Sequence, residues 1–258
     1  FYTEIGNKKK TYITIRSKQP SVTIPTGKWE ELLKHTAGNT FFIRISINQN
    51  GKWTQHPDIT NVISHSAIDP YLVYRLLYPG YELWNQMGVY QRDLTSYKET
   101  PLIENQSIEE GCLNCHTFCK NSPETMMIHI RGKAGGTLIR RQGNIDRIEV
   151  KAHEMANSGA YASWHPEGRY LAFSVNKIQQ YFHSTGPKAV EVSDSESDLV
   201  LLDTETNTLI TDTAVYGEKW METFPAWNPS GDMLYYCRSK AIDKKTSLDN
   251  IRYDLYRI

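Results

Sequence analysis

Residues 163–173 read SWHPEGRYLAF, and residues 226–236 read AWNPSGDMLYY. Trp, Pro and Gly fall at W-x-P-x-G in both copies, and the matched positions lie 63 residues apart. Pro fixes the backbone φ angle and Gly permits the positive φ that a tight turn requires, so each copy predicts a turn followed by an apolar strand. The recurrence at a constant spacing predicts a repeat protein.

A second strand follows each copy. Residues 198–203 read DLVLLD and residues 254–258 read DLYRI. Strand, turn and strand at a fixed period are the pattern of a β-propeller blade. We count about four blade-like units, approximately at residues 70–105, 124–155, 160–213 and 224–258, the last of which stops after its second strand. The sequence therefore predicts a mainly β protein with a partial propeller.

The composition agrees with an all-β chain and limits its partners. The 258 residues include 16 Tyr, 6 Trp, 16 Gly and 11 Pro, a mixture that suits short strands joined by tight turns. The 29 basic and 29 acidic residues cancel, which gives no long-range field for nucleic acid. No apolar run is long enough for a membrane-spanning helix. The chain begins without a methionine, so we expect it to start within a processed or trimmed protein.

The first 65 residues read as a small separate β-rich domain, and the propeller portion is expected over residues 66–258. Residues 41–48 alternate apolar and polar side chains, and Asn50-Gly51 then precedes Trp53. Asn-Gly between two alternating runs predicts a type I′ hairpin.

The most explicit chemical motif is C-x-x-C-H at Cys112, Cys115 and His116. This is the attachment sequence of a covalent c-type haem, in which two thiols add to the vinyl groups and the histidine supplies an axial nitrogen to iron. We expect it within an insertion at residues 106–123, in a loop between the first two blades. The remaining cysteines, Cys119 and Cys237, are expected as unpaired thiols, with a disulfide between them left open.

The repeat and the motif together carry a resemblance to a known family. The W-x-P-x-G strand followed by D-L-φ-φ-D, where φ is an apolar or aromatic residue, resembles the TolB-like, WD-repeat-related β-propellers of bacterial envelopes. Over residues 69–258, one subgroup with a single C-x-x-C-H is more closely similar. Its matching segments are residues 69–76, 79–84, 87–92, 112–118, 126–132 and 135–137.

The resemblance implies a site and a location. His116 would be the proximal haem ligand, with Cys112 and Cys115 forming the thioethers. The motif does not specify a sixth iron ligand, and Met127 and His129 are the candidates because they share one face if residues 126–131 form a strand. The resemblance implies the periplasm, the outer membrane or the cell surface of a Gram-negative bacterium. It implies an envelope protein or a redox protein as partner, and it leaves room for a lipid anchor upstream.

Two function classes follow. The first is a haem c protein for one-electron transfer or haem-dependent sensing, with the propeller as a protein-docking surface. The second is a haem-free propeller that acts as a protein-interaction scaffold, with Cys112 and Cys115 as thiols or as a disulfide. A zinc site at Cys112, Cys115, His116 and Cys119 would lack the distant second ligand pair of usual zinc sites. No catalytic constellation supports an enzyme.

Overall fold

The computed structural model describes residues 1–77, 87–96, 98–133, 135–148, 159–187, 190–243 and 248–258. The segment 79–84 and the end of the predicted second blade, residues 149–155, lie outside the described residues. Within these ranges the protein is mainly β, with a small N-terminal β-rich unit followed by a partial propeller of four blade-like sheets, as the sequence predicts. No helix of the described ranges is long and apolar enough to cross a membrane.

The N-terminal sheet contains five antiparallel strands. Its elements are β1 (Tyr2–Gly6), β2 (Thr11–Arg16), α1 (Thr26–Thr36), β3 (Thr40–Gln49), β4 (Lys52–Gln55) and β5 (Ile59–Val62). The strand order is β2-β1-β3-β4, with β5 also pairing with β3. Buried Leu32 of α1 joins Ile5, Ile13 and Phe41 in a core on one face of the sheet, and Trp53 on the opposite face is exposed.

Four further sheets follow in chain order, and in each of them the neighbouring strands are consecutive in the sequence. The first contains β6 (Tyr71–Leu77), β7 (Met87–Asp93) and β8 (Glu99–Glu104), and the second contains β9 (Cys112–Phe118), β10 (Thr125–Arg131), β11 (Gly136–Arg141) and β12 (Asn144–Ile148). The third contains β13 (Gly159–Trp164), β14 (Tyr170–Phe182), β15 (Val190–Asp203) and β16 (Thr208–Ile210). The fourth contains β17 (Trp220–Trp227), β18 (Leu234–Lys240) and β19 (Asp254–Arg257).

The sheets correspond to the four predicted blade-like units, but the second begins earlier than predicted because it includes Cys112–Phe118 as its first strand. The contacts between residues divide the chain into two compact units. The first contains Phe1–Val73 and Gln91–Thr100, and the second contains Tyr74–Tyr90 and Pro101–Ile258. The predicted domain boundary after residue 65 stays a prediction.

The core of the second unit lies between successive sheets. Met127 and Ile139 of the second sheet pack with Trp164, Leu171 and Phe173 of the third in one buried cluster. A second cluster joins the third sheet to the fourth through Ala172, Leu199, Val215, Leu234 and Tyr236. The repeated tryptophans take part in these seams, as expected for residues between blades: Trp164 donates from Nε1 to the Thr117 carbonyl oxygen at 3.3 Å, and Trp227 packs against the second cluster.

Candidate functional site

The C-x-x-C-H segment is the strand β9, whereas the sequence predicts a loop between blades. It pairs with β10 over nearly its whole length, and Leu113 within it is fully buried. The backbone of Leu113 is also tied to the first sheet, because its carbonyl oxygen accepts from Arg75 Nη1 at 3.3 Å. The segment forms a strand because its backbone pairs with β10 and the side chain of Leu113 is buried within the blade.

A β-bulge lies within the motif. Leu113 stands opposite Ile130 and His116 opposite Ile128, so that two residues of β9 face the single residue His129. The same irregularity recurs at Tyr161-Ala162 of β13 and at Phe224-Pro225 of β17. The motif therefore lies at a register irregularity that three successive sheets share in their first strands.

The bulge decides which face each motif residue occupies. Directly opposed residues of an antiparallel pair point to the same side of the sheet, so Cys112 shares a face with Arg131, and Cys115, opposite His129, joins them. His116, opposite Ile128, lies on the other face, where its ring is 6.4 Å from that of Phe118. From this register we infer that the two cysteines share a face with His129 and that His116 lies on the opposite face.

The two candidates for the sixth iron ligand have different surroundings. Met127 is fully buried in the apolar cluster with Cys119 and Trp164. His129 is 1% exposed, its Nδ1 lies 2.9 Å from Thr137 Oγ1, and its Nε2 is buried without a partner. An imidazole with one nitrogen held by a hydrogen bond and the other unpartnered matches the usual arrangement of a metal-ligating histidine.

The electrostatics of His129 favour its neutral form. Burial, and then the positive charge of Arg131, lower the pKa of His129 to about 4, so the ring is uncharged near neutral pH. If Nδ1–H donates to Thr137, the lone pair of Nε2 is available to a metal. Burial likewise raises the pKa of the Cys112 thiol, and Arg131 opposes this shift.

Arg131 is itself incompletely paired. Its Nε and Nη2 are buried and have no hydrogen-bond partner, and Oδ1 of Asp194 is in the same condition. The other carboxylate oxygen of Asp194 accepts from Asn176 Nδ2 at 2.7 Å. Burial raises the pKa of Asp194, and both the Asn176 hydrogen bond and the charge of Arg131 lower it. Buried polar groups are nearly always paired in proteins, so an incompletely paired arginine opposite Cys112 marks this face as a candidate binding site.

Sequence reasoning missed Thr137 and Asp194. Thr137 stands directly opposite His129 in the β10–β11 hairpin. Pairing the two apolar runs across the Gly132–Gly136 turn could have found it. Asp194 lies on β15, which pairs with β14 in a long hairpin. The segment carries too many polar residues for the alternation that predicts a strand.

The face that carries the thiols matches part of the donor set of a haem. Cys112 and Cys115 supply thiols, His129 an unpartnered imidazole nitrogen, and Arg131 unpaired donors of the kind that bind a propionate. His116 does not fit while β9 stays paired with β10, because it points to the opposite face. For a bare metal ion, the described residues contain no group of three or more His, Cys, Asp or Glu side chains suitably placed. All four cysteines are free thiols.

Comparisons with known proteins show no close relative. No protein-family model and no curated protein matches the chain. A protein from Lactobacillus plantarum is similar in structure, with a TM-score of 0.35, 10% identity and coverage of 86% of this chain and 69% of that one. An oligogalacturonate lyase from Vibrio parahaemolyticus gives 0.28 and 10% identity, with 60% of this chain and 53% of the other covered. A structure of an oligogalacturonate lyase in complex with manganese has a TM-score of 0.28 and 13% sequence identity, and the match covers 68% of this chain and 55% of that one.

Proposed function

We propose that this chain is a haem c-binding β-propeller protein of the bacterial envelope that serves in one-electron transfer or haem-dependent sensing. The observation that carries the proposal is the shared face of Cys112, Cys115 and the unpartnered Nε2 of His129. Bound covalently, a haem would supply a one-electron redox centre or an open iron site. The envelope location follows from haem c attachment, which takes place there.

The residues of this chain have distinct proposed roles. Cys112 and Cys115 would form the thioethers. His129 is the stronger candidate for an axial ligand than Met127, because the methionine sulfur is enclosed by apolar side chains whereas the imidazole is oriented by Thr137. Arg131 would pair with a propionate. His116 has its expected role as proximal ligand only if β9 leaves β10, since pairing directs its side chain to the opposite face.

A second candidate function is a haem-free propeller that acts as a protein-interaction scaffold. The position of His116 favours it, as does the recurrence of the same bulged strand in the two following sheets, neither of which carries a C-x-x-C-H motif. In this alternative Cys112 and Cys115 remain thiols or form a disulfide, and Arg131 meets an acidic group of a partner.

The experiment that tests the proposal is expression with a haem c maturation system, followed by intact mass and a pyridine haemochrome spectrum. The haem function is supported if the mass increases by that of one haem and if the double variant Cys112→Ser, Cys115→Ser abolishes this increase. An unmodified mass with no Soret band, despite competent maturation machinery, rejects it and leaves the scaffold.

Ligand assignment uses the haem-loaded protein. His129→Asn should change the spin state of the iron, because an axial nitrogen is lost, whereas the control Met127→Leu should leave the visible spectrum unchanged. The opposite pattern would assign the sulfur of Met127 as the ligand. A spectrum altered by neither variant would remove both candidates.

A further inference from the structure

The face of the N-terminal sheet away from α1 carries a shallow pocket of about 310 Å³. It is lined by Tyr2, Arg16, Ser46 and Trp53, which come from β1, β2, β3 and β4. Tyr2 stands opposite both Arg16 and Ser46 in the two strand pairs. The pairing of the strands therefore fixes this arrangement across the sheet, on the side away from α1.

The pocket is built around two aromatic rings. Trp53 is 55% exposed, and the ring of Tyr2 meets it edge to face, with centroids 6.3 Å apart and planes at 76°. The Arg16 guanidinium lies 5.5 Å from the centroid of Tyr2. The indole presents a rigid flat surface that suits the apolar C–H face of a sugar ring.

The charge of this face selects among ligands. Arg44 on β3 pairs with Asp58, with Nη2 to Oδ2 at 2.8 Å, and with Glu4, with Nη1 to Oε2 at 4.0 Å. Within the described ranges, by contrast, no carboxylate forms an ion pair with Arg16. A guanidinium is planar, and its rigid fork of donors binds a carboxylate through two hydrogen bonds. The Ser46 hydroxyl adds one polar group to the same pocket.

We propose that this pocket binds an acidic sugar, with a uronic acid ring stacked on Trp53 and its carboxylate paired with Arg16. The volume is near the lower end of the range for small-molecule sites, and so suits one or two sugar rings. The proposed site lies wholly on the N-terminal sheet and does not depend on haem or on the C-x-x-C-H strand.

The test is calorimetric titration of the full chain with a β-1,4-linked mannuronate trisaccharide, with β-1,4-mannotriose as its uncharged counterpart. We expect measurable binding of the acidic trimer and at least about tenfold weaker binding of the neutral one, because an Arg–carboxylate pair is lost. Trp53→Ala should weaken both, and Arg16→Gln should remove the preference for the acidic trimer.

Two controls make the outcome decisive. Tyr71→Ala removes an aromatic ring of similar exposure, 53%, and Lys34→Gln removes a cation from α1, on the other face of the same sheet. Neither should alter binding. Binding that Trp53→Ala and Arg16→Gln leave intact would overturn the proposal. So would binding of adenosine monophosphate in place of the mannuronate, since the site would then recognise a phosphorylated aromatic base.

Discussion

The burial of His129 predicts a specific dependence of stability on pH. A histidine whose pKa falls on folding binds its proton more readily in the unfolded chain, so stability decreases as the pH falls below the unfolded pKa. The ordinary value is 6.5 and the value in the folded protein is about 4. At pH 5 this difference removes about 2 kcal/mol of the unfolding free energy present at pH 7.5, and below pH 4 it approaches a full loss of about 3 kcal/mol.

The measurement is urea unfolding of the haem-free protein at pH 7.5 and at pH 5.0. His129→Asn keeps a donor toward Thr137 but cannot titrate, so this variant should lose about 2 kcal/mol less than the parent between the two pH values. His56→Asn replaces an exposed histidine and should behave as the parent does. Equal pH dependence in the parent and in His129→Asn would refute the reasoning, because the imidazole would then be protonated equally well in both states.

Two further predictions concern packing and turns. Arg238 Nε lies 2.8 Å from a carboxylate oxygen of the buried Glu222, so Arg238→Met should lower the free energy of unfolding in urea by about 3 kcal/mol. Lys177→Met removes a cation from an exposed ion pair at 3.0 Å and should lower it by less than about 1 kcal/mol. Equal losses for the two variants would contradict this prediction. Gly168 and Gly231 both have φ near +80°, so replacing either by Ala should cost about 1 kcal/mol. Gly231→Ala should destabilise the protein more than Gly168→Ala, because the added Cβ would overlap the ring of His165. A lower thermal unfolding midpoint for Gly168→Ala than for Gly231→Ala would disprove this prediction.

The parts of the fold that the sequence predicts correctly are those set by local backbone chemistry. Asn50 and Gly51 both have positive φ, +52° and +86°, and they join β3 to β4 as the Asn-Gly signal predicts. The two W-x-P-x-G copies likewise form the β13–β14 and β17–β18 turns. In each case a few adjacent residues determine the conformation, so that no knowledge of distant contacts is needed.

The strand that contains the candidate site could not be predicted in the same way. A bulge interrupts the alternation that identifies a strand, because Leu113 and His116 share a face although they are three residues apart. A pattern search with a period of two therefore fails on β9, and the segment reads as a loop. Thr137 differs in this respect, because it stands opposite His129 in the regular β10–β11 pairing, which the hairpin pattern could have predicted.

The shared bulge also allows the three sheets to be compared position by position. Cys112 opposite Arg131 corresponds to Gly159 opposite Val175 in the third sheet and to Glu222 opposite Arg238 in the fourth. The fourth sheet pairs its arginine with a buried carboxylate, and the third carries no charge there. Only in the second sheet does the arginine stand opposite a thiol, with two of its nitrogens unpaired. Arg131 is half-buried, and its Nε and Nη2 have no hydrogen-bond partner. Unpartnered buried donors are costly, and the third sheet has an uncharged pair at this position, so stability alone does not account for Arg131. We therefore expect the group that completes this site to be an anion, whether a haem propionate or an acidic side chain of a partner.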